Sequence, residues 1–415
     1  RFLLKLCMKY DLKDRKFWIA NEDEIKNGLA TDFYFLNVEK AMDGEKINPR
    51  VVAEIYTRHL PYQDQWGVLS GVYEALKLLE GLPVSVWSFD EGEVFFTSKN
   101  DIAYEPVMRI EGPYRYFARF ETALLGFLCS MSGISTKAAR FRFLAGDDKI
   151  LLSFGTRRTH PALAPMIERC AYIAGFDGFS NVLGAELIGM KGSGTMPHSF
   201  ILLFDDPRDA WIAFDKHVEK DVPRIALVDT YYDEKTESIM ALETLNGKLT
   251  GIRLDTPSSR KGDWRKIVEE VKWELYQRGG RNVKILISGG IDEEDIIKMN
   301  DIVDGYGIGT SVSDAPTVDF NMKIVEVEKD GKMIKKAKRG DISGKKEVFR
   351  NYEKGEDIIQ SAYLEPPENY EPLLKKYMDN GKIIREFEDL SEIRKRIRER
   401  LKWIKEKNPK ARLIY

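Results

Sequence analysis

The 415-residue chain has few cysteines and no long apolar run. Its three cysteines, Cys7, Cys129 and Cys170, are far apart and include no C-x-x-C pair, which argues against a disulfide framework and against a cysteine zinc site. We expect neutral thiols in a reducing cytoplasm. No stretch approaches the roughly 20 apolar residues that span a bilayer. Lys5 interrupts the apolar start of the chain, so we predict neither a membrane anchor nor a secretory signal.

An excess of charge of either sign is also missing. The 65 basic and 67 acidic side chains give a formal net charge of −2, which excludes the global basic field expected of a protein that binds nucleic acid or an anionic membrane. Charged residues still make up 32% of the chain, whereas glutamine occurs only at positions 63, 65, 277 and 360, a composition typical of thermophile proteins rich in ion pairs. A hydrophobic fraction of 43% supports a sizeable core, and the length predicts two or three domains or one enlarged barrel.

The order of predicted elements divides the chain into three parts, which are residues 1–118, 119–320 and 321–415. The first part is predicted to be a small α+β layer. It contains a strand at Phe17–Ala20, a helix over 64–79, and a hairpin that pairs Val84–Trp87 with Val94–Phe96.

The middle part has the rhythm of a βα series. A long apolar-faced helix over 121–145 comes first, and a helix over 263–278 is the clearest of those that follow. Strands that alternate with helices predict a parallel sheet, here with enough repeats to close toward a barrel. The predicted strands are Ile150–Phe154, Glu186–Gly189, Ile225–Asp229, Gly251–Asp255, Val283–Ile287 and Val303–Gly307.

The βα rhythm stops in the last part. Met322–Val327 and Lys332–Ile334 predict a hairpin across Lys329–Gly331. The tail from Ser391 predicts a basic helix, with ten Lys or Arg against three Glu. An electrostatic partner and a solvated helix face are both open interpretations of that helix, and the near-neutral net charge of the chain favours the solvated face.

Two glycine-rich turns, Ser288–Asp292 and Gly307–Ser311, follow consecutive strands late in the series. Glycines let backbone N–H groups approach an anion closely, and Asp292 and Ser311 are placed to cap the next helices, whose N-termini add partial positive charge. Two such turns predict a phosphate site like the one after the last two strands of a TIM-type barrel. The alternative is that the glycines only make tight turns. A P-loop is excluded, because no Gly-Lys-Ser/Thr follows.

Charged residues also stand at predicted strand ends. Arg157 and Arg158 come shortly after Phe154, and Arg253 and Asp255 close their strand. In a barrel these side chains would point into the mouth at the carboxyl ends of the strands. Adjacent arginines beside an aromatic ring suit a planar anionic ligand, although an Arg-Arg pair on the surface is the alternative.

Two of the four histidines lie in segments of special composition. His198 closes the glycine-rich segment Gly192–His198, and His160 lies in an Arg-Arg-Thr-His-Pro sequence. Histidines in loops are more often solvated or helix caps than catalytic, and the residue types alone leave both interpretations open.

Six segments occur in the order and spacing of the nicotinate phosphoribosyltransferase family, which the chain resembles from about residue 17 to 320. Thr31–Tyr34 is also similar to that family's N-terminal Thr-Asp-x-Tyr. The six segments are Phe154–Arg158, Gly178–Val182, Gly194–Ser199, Ile252–Asp255, Ser288–Gly290 and Gly307–Thr310.

The resemblance implies an α/β fold, the irregular TIM-like barrel of type II phosphoribosyltransferases, with an α+β domain formed by the N- and C-terminal segments. It also implies an ATP-assisted enzyme of NAD biosynthesis that joins nicotinate to phosphoribosyl pyrophosphate, in a cytoplasmic homodimer or larger homo-oligomer. Asp205–Arg208 partly matches the type I phosphoribosyltransferase signature, but it lacks the following Thr-Gly turn. We therefore predict only a helix start there.

By resemblance, Phe154 stacks on the pyridine ring, and Tyr34 of a neighbouring subunit forms the opposite wall. Asp255 would hold the ribose hydroxyls, and His198 matches the histidine that ATP phosphorylates in this family. The pyridine carboxylate would be surrounded by Arg157, Ser180 and Arg253, and the 5′-phosphate would be held by Ser288, Gly289, Gly290, Gly309 and Thr310.

Ser180 bears on the choice of substrate. The related nicotinamide enzyme carries Asp at this position, which accepts a hydrogen bond from the amide nitrogen. A carboxylate has no such donor and is repelled by Asp, so Ser180 favours nicotinate. The chain departs from the family in two respects. It has no cysteine beyond 170 for the zinc that members often carry, and Lys338-Arg339 with Ser343–Lys345 only approximates the family's basic C-terminal motif.

The implied reaction needs no general base, because the pyridine nitrogen of nicotinate is a free nucleophile near neutral pH. Positioning, stabilisation of a cationic ribosyl-like transition state, and Mg²⁺ on the leaving pyrophosphate would carry catalysis. Two alternatives are a quinolinate phosphoribosyltransferase, which is shorter and decarboxylates its substrate, and a non-catalytic sensor of phosphoribosyl nucleotides. The C-terminal segment argues against the first, and His198 with both phosphate turns argues against the second.

Overall fold

The computed structural model describes residues 15–62, 65–97 and 104–414. Their strands form sheets of seven, six, four and two strands. The start of the chain, with Lys5 and Cys7, lies outside the described residues. Within them, no helix combines the length and the apolarity needed to cross a bilayer.

Both ends of the chain contribute strands to the largest sheet. These are β1 Arg50–Tyr56, β3 Ser85–Ser88, β5 Met108–Pro113, β12 Asn321–Lys329, β13 Lys332–Lys335, β17 Lys375–Asp379 and β18 Lys382–Ile383. They lie in the order β13-β12-β1-β5-β3-β17-β18, with every pair antiparallel. The predicted hairpin of β12 with β13 is confirmed.

The predicted hairpin of Val84–Trp87 with Val94–Phe96 is wrong. Strand β3 pairs with β5 and β17, whereas β4 (Val94–Phe96) pairs with β2 (Trp66–Val68). The residues between β3 and β4 fold inward instead of forming a tight turn, since the buried carboxylate of Asp90 accepts a hydrogen bond from Tyr377 Oη at 2.6 Å. A partner more than 280 residues away in sequence therefore determines the course of this loop.

Two further expectations for the first part are wrong. Helix α3 spans Val72–Leu79 rather than 64–79, because Gly71 before it has a left-handed φ of 89° and the preceding residues are extended. Phe17–Ala20 forms bends rather than a strand. The other helices of this part are α1 Glu22–Lys26, α2 Phe33–Glu45 and α4 Tyr114–Phe117.

Helix α5, Glu121–Ala145, has the predicted bounds and connects the first part to the second. Its small polar side chains bond the backbone of the segment that precedes α3. Thr136 Oγ1 accepts a hydrogen bond from the N–H of Val68 at 2.9 Å, and Ser132 Oγ accepts one from the N–H of Ser70 at 2.9 Å. The two parts therefore share one buried interface in which backbone polar groups are satisfied.

The second part is built on a six-stranded parallel sheet. Its strands are β6 Ile150–Ser153, β7 Gly178–Phe179, β8 Ile225–Val228, β9 Gly251–Leu254, β10 Lys284–Ser288 and β11 Gly305–Ile308. They lie in the order β7-β6-β11-β10-β9-β8. Among the described residues the outer strands β7 and β8 do not pair, so this is the irregular, open form of the predicted TIM-like α/β barrel.

One predicted strand of this series is wrong. Glu186–Gly189 belongs to the end of helix α7, Val182–Ile188, which Asn181 caps by accepting a hydrogen bond from the N–H of Gly184 at 2.9 Å. The short strand β7 takes its place, while the predicted helix over 263–278 is confirmed as α11. The remaining helices of this part are α6 Ala164–Ile173, α8 His198–Ile201, α9 Pro207–His217, α10 Glu234–Leu245, α11 Trp264–Gln277, α12 Glu293–Met299 and α13 Thr310–Ser313.

The last part ends in a four-stranded sheet and the predicted basic helix. Helix α14 spans Leu390–Lys407. The sheet has the order β16-β14-β15-β19 and consists of β14 Lys346–Asn351, β15 Glu356–Ser361, β16 Glu371–Pro372 and β19 Lys410–Leu413.

The expectation of a solvated face on α14 is wrong for several of its arginines. Arg394 donates to a carbonyl oxygen of α6 at 2.6 Å and pairs with Asp177 at 2.9 Å. Arg400 pairs with Glu93 at 2.7 Å, and Glu93 also pairs with the fully buried Arg350 at 2.5 Å. The electrostatic partner of this helix is therefore the rest of its own chain. Removing one member of such a buried network would leave an unpaired charge, which is costly.

Candidate active site

The carboxyl ends of the six parallel strands lie at one edge of the sheet, where ligands bind in open α/β folds. Each strand is directly followed by a polar residue, an aromatic residue or a glycine. In the order of the strands from β6 to β11, these residues are Phe154, Ser180, Asp229, Asp255, Gly289 and Gly309. All but Asp229 were candidate site residues from the sequence.

Arg253 connects several of these elements. Its guanidinium donates to Ser288 Oγ at 3.1 Å, to Thr195 Oγ1 at 3.2 Å and to the carbonyl oxygen of Met196 at 2.9 Å. Ser288 Oγ in turn donates to Asp255 Oδ1 at 2.8 Å. Burial lowers the pKa of Arg253, against the opposing effect of Asp255. One side chain therefore fastens the glycine-rich segment before His198 to the ends of β9 and β10.

The ring of Phe154 lies across β11. A Cβ on Gly307 would come within 2.5 Å of Phe154 Cε2, so only glycine leaves room for the ring there. The Arg253 guanidinium lies 5.7 Å from the ring centroid. The site thus has an aromatic face with a cation beside it, as a planar anion requires.

His198 lies at the start of α8, between two carboxylates. Its Nδ1 is 3.0 Å from Thr230 Oγ1, and its Nε2 is 3.6 Å from Asp255 Oδ2 and 3.8 Å from Asp229 Oδ1. The carboxylate of Asp255 raises the pKa of His198 above its usual value, although partial burial opposes this. Burial also opposes ionisation of Asp255, but His198, Arg253 and Ser288 outweigh it and leave the pKa of Asp255 lowered.

Asp229 is a site residue that the sequence analysis treated only as the end of a strand. Burial raises its pKa to about 7, and its Oδ1 has no hydrogen-bond partner among the described residues. Its φ of 77° is left-handed, which is unusual for a residue other than glycine. Buried Glu237 holds the following turn, since it accepts hydrogen bonds from the N–H groups of Thr230, Tyr231 and Tyr232. The feature of the sequence that could have identified Asp229 is its position directly after a hydrophobic strand.

The two glycine turns present free backbone donors. Gly289 and Gly290 have left-handed φ values of 90° and 68°, and a Cβ on Gly289 would lie 3.1 Å from Asp255 Oδ1. The N–H groups of 289–291 and 309–311 donate to no acceptor among the described residues. The turns therefore have the geometry expected of an anion site.

The predicted contribution of the helix N-termini is partly wrong. Asp292 does cap α12, but in a capping box with Asp295, and the first turn of this helix also contains Glu293 and Glu294. These carboxylates oppose an anion at that helix end. Ser311 caps nothing: Gly309 is the N-cap of α13, and Ser311 Oγ donates to the carbonyl oxygen of Ile291 at 2.6 Å.

Three more predicted residues lie beside this cluster. Arg157 and Arg158 are exposed in a 3₁₀ turn, Thr156–Arg158, directly after Phe154. Burial is the main cause of the lowered pKa of Arg253, and the nearby charge of Arg157 lowers that pKa further. Ser180 is exposed at the end of β7, and its N–H donates to the carbonyl oxygen of Ser153 at 3.1 Å.

Three other predictions concern residues away from the cluster. Tyr34 on α2 is 56% exposed and contacts Phe35, so this chain does not bring it to its own barrel mouth. His160 is a helix cap, accepting a hydrogen bond from the N–H of Ala162 at 3.2 Å. Asp206 caps α9, which confirms the predicted helix start.

The described residues contain no group of three or more His, Cys, Asp or Glu side chains arranged to hold a metal ion. Cys129 and Cys170 are free, and burial raises the pKa of their thiols to about 11 and about 12. Both are therefore neutral at ordinary pH, as expected, and Cys7 lies outside the described residues.

Known proteins share this architecture. Models of the quinolinate phosphoribosyl transferase C-terminal and N-terminal domains match residues 134–323 and 32–132, and a model of the nicotinate phosphoribosyltransferase C-terminal domain matches 356–411. The crystal structure of nicotinate-nucleotide pyrophosphorylase from Pyrococcus furiosus is 49% identical, with a TM-score of 0.89, and the match covers 94% of this chain and 99% of that one.

Two more distant relatives are named as phosphoribosyltransferases of nicotinate. Nicotinate phosphoribosyltransferase of Bacillus subtilis (strain 168) is 28% identical over 407 residues, which is 86% of this chain and 79% of that protein. The crystal structure of human nicotinic acid phosphoribosyltransferase has the same fold, with a TM-score of 0.74 at 20% identity over 90% of this chain and 93% of that one.

The open barrel, together with the sheet formed by the two ends of the chain, is the fold of a type II phosphoribosyltransferase. Within that class, the chain belongs to the nicotinate phosphoribosyltransferase family.

The contact of His198 with Asp255 generates a prediction about titration. Because Asp255 raises the pKa of His198, Asp255→Asn should lower that pKa, which NMR titration of the four histidine rings measures. In the wild type this contact contributes fully to the free energy of unfolding below the pKa of a histidine in the unfolded chain, about 6.5. The contribution is lost as pH rises through the higher pKa of His198 in the folded protein, and Asp255→Asn should lack it. Asp206→Asn, an exposed cap, is the control. An unchanged His198 titration in Asp255→Asn would contradict the assignment.

Proposed function

We propose that the protein is a nicotinate phosphoribosyltransferase, which joins nicotinate to phosphoribosyl pyrophosphate and releases nicotinate mononucleotide and pyrophosphate. The observation that carries the proposal is the set of groups at one sheet edge: an aromatic ring beside a largely buried guanidinium, a carboxylate, and two turns with free N–H groups. These match the pyridine carboxylate, ribose and phosphate of the product. The names of the relatives support the same activity.

Nicotinate is bound between Phe154 and the cations beside it. The pyridine ring stacks on the Phe154 face, and the carboxylate is directed to Arg253. Arg157 and Arg158 add positive charge from the exposed turn after Phe154, and Ser180 adds a neutral hydroxyl from the neighbouring strand. A binding site with three arginines and an uncharged serine favours an acid over an amide.

The phosphoribosyl group is bound by the next strands. Asp255, whose pKa is lowered although burial opposes ionisation, stays ionised and accepts hydrogen bonds from the ribose hydroxyls. The 5′-phosphate accepts hydrogen bonds from Ser288 and from the free N–H groups of Gly289, Gly290, Gly309 and Thr310.

The reaction forms the bond from the pyridine nitrogen to C1 of the ribose and breaks the bond from C1 to pyrophosphate, with no proton transfer. The developing cation at C1 is stabilised by the carboxylate of Asp255, whose lowered pKa keeps it ionised. Mg²⁺ bound to the pyrophosphate of the substrate would neutralise the negative charge that develops on the leaving group.

His198 accepts the γ-phosphoryl group of ATP in a separate step. Thr230 bonds Nδ1 and orients the ring, which leaves Nε2 as the attacking atom. A bond from Nε2 to phosphorus forms while the bond from phosphorus to ADP breaks. The side chain is 36% exposed, which gives ATP access.

A second copy of the chain completes the site. Tyr34 of the partner would form the wall opposite Phe154, as the family resemblance implies. Exposed apolar side chains on both surfaces support burial against a copy. Near α1 and α2 these are Phe17, Trp18, Phe33 and Tyr34, and on the barrel they are Val182, Leu187, Leu202 and Leu203.

The direct test supplies purified protein with phosphoribosyl pyrophosphate and Mg²⁺, together with nicotinate or quinolinate, each with and without ATP. We expect nicotinate mononucleotide from nicotinate, a higher rate with ATP, and a phosphohistidine that His198→Ala lacks. Chromatography measures the nicotinate mononucleotide and its rate of formation, and transfer of label from ATP to the protein measures the phosphohistidine. Product and CO₂ from quinolinate alone would identify the decarboxylating enzyme, and no product from either would leave a nucleotide sensor.

The hydroxyl of Ser180 generates a second prediction. Ser180→Asp should raise KM for nicotinate at least tenfold, because two carboxylates would face each other in the pocket, a repulsion of about 1–2 kcal/mol or more. Ser180→Ala, which adds no charge, is the matched control and should change KM less. KM is measured by steady-state kinetics with nicotinate. An equal change in KM for the two variants would show that Ser180 lies outside the pocket.

Sharing of the site between subunits is tested by complementation. Tyr34→Ala and Asp255→Asn should each reduce activity strongly, while co-expression of the two should restore about a quarter of wild-type activity, because half of randomly assembled dimers are mixed and each holds one intact site. Co-expression of Ser180→Asp with Asp255→Asn should restore none, since both changes alter the barrel's own side. No recovery in the first pair would show that Tyr34 does not cross to the partner.

A further inference from the structure

The Gly289–Gly290 turn faces an acidic helix end. The N-cap and first turn of α12 hold four carboxylates, and two of them are paired with cations: Glu293 with Lys137 and Arg140, and Glu294 with Lys298. The other two, Asp292 and Asp295, form no ion pair within the described ranges. A phosphate at the adjacent turn therefore requires a cation that α12 does not supply.

Lys261, in the loop between β9 and α11, lies at this turn. Its Nζ donates to the carbonyl oxygen of Gly289 at 2.9 Å and lies 3.8 Å from the ring centroid of the buried Trp264. A lysine side chain normally loses much rotamer freedom when it binds a ligand, and these two contacts hold it in place beforehand. Lys261 makes no salt bridge to any described residue; burial raises the pKa of Asp295, and the nearby charge of Lys261 opposes this.

We propose that Lys261 binds the 5′-phosphate of phosphoribosyl pyrophosphate and of the mononucleotide product, an assignment that rests on the proposed function. The ammonium has three N–H donors and the Gly289 carbonyl takes one, which leaves two for phosphate oxygens. The turn orients the anion, and Lys261 supplies the charge.

Ribose 5-phosphate is the probe, because it carries the 5′-phosphate without a pyridine base or pyrophosphate. Calorimetry should show binding to the wild type that Lys261→Met weakens roughly tenfold to a hundredfold, as expected for a lost charge-assisted hydrogen bond, while Lys261→Arg retains most of it. Pyrophosphate affinity should change little in all three proteins.

Two further variants separate charge from structure. Lys261→Gln keeps an N–H donor for the Gly289 carbonyl but has no charge, so it should bind ribose 5-phosphate as weakly as Lys261→Met. Lys284→Met removes the same charge from the exposed start of β10, at the opposite end of that strand from the turn, and should have little effect on this affinity. Thermal unfolding confirms that each variant is folded.

The assignment is overturned if Lys261→Gln binds like the wild type, if Lys284→Met weakens binding equally, or if the wild type does not bind ribose 5-phosphate. A loss of pyrophosphate affinity instead would place Lys261 at the leaving group and overturn it too. The proposed function fails separately: a protein that shows the expected ribose 5-phosphate pattern but makes no nicotinate mononucleotide would retain the Lys261 site and lose the nicotinate assignment.

Discussion

The hydrogen bonds of one largely buried arginine determine much of the geometry of the site. Arg253 leaves β9 at the carboxyl edge and reaches both Ser288 on β10 and the segment that carries His198. Arg253 holds the later half of the glycine-rich segment before α8 against β9, while the N–H of Ser193 fastens the earlier half to the carbonyl oxygen of Phe179 in β7 at 2.8 Å. The same guanidinium is the cation beside Phe154. Arg253 therefore both orders the site and, under the proposed function, supplies positive charge that faces the ligand.

The outer parts of the chain depend on a different kind of contact. The largest sheet interleaves strands from both ends, so neither end forms it alone. The arginines of α14 then connect the last part to the first through Glu93 and to the barrel through Asp177. Because these pairs are buried or half-buried, they determine which surfaces meet, more than they add net stability.

Features set by local patterning were predictable from the sequence. The bounds of α5, the βα rhythm, the β12–β13 hairpin and the residues after most barrel strands follow from periodicity and turn chemistry. The failures involve long-range partners. The loop at Asp90 follows Tyr377, and the short apolar run at Glu186–Gly189 suits a strand or a helix until the cap at Asn181 decides. Asp229 was missed because its function comes from proximity to His198, which no spacing encodes.

The acidic first turn of α12 has a consequence for turnover. The 5′-phosphate is present in both the substrate and the product, so tighter binding of that group stabilises the two equally and gives no advantage to the chemical step. A helix end free of carboxylates would retain the finished mononucleotide as firmly as it captures the substrate. Under the proposed function, Asp292 and Asp295 at that position would let the turn orient the phosphate while still allowing the product to leave.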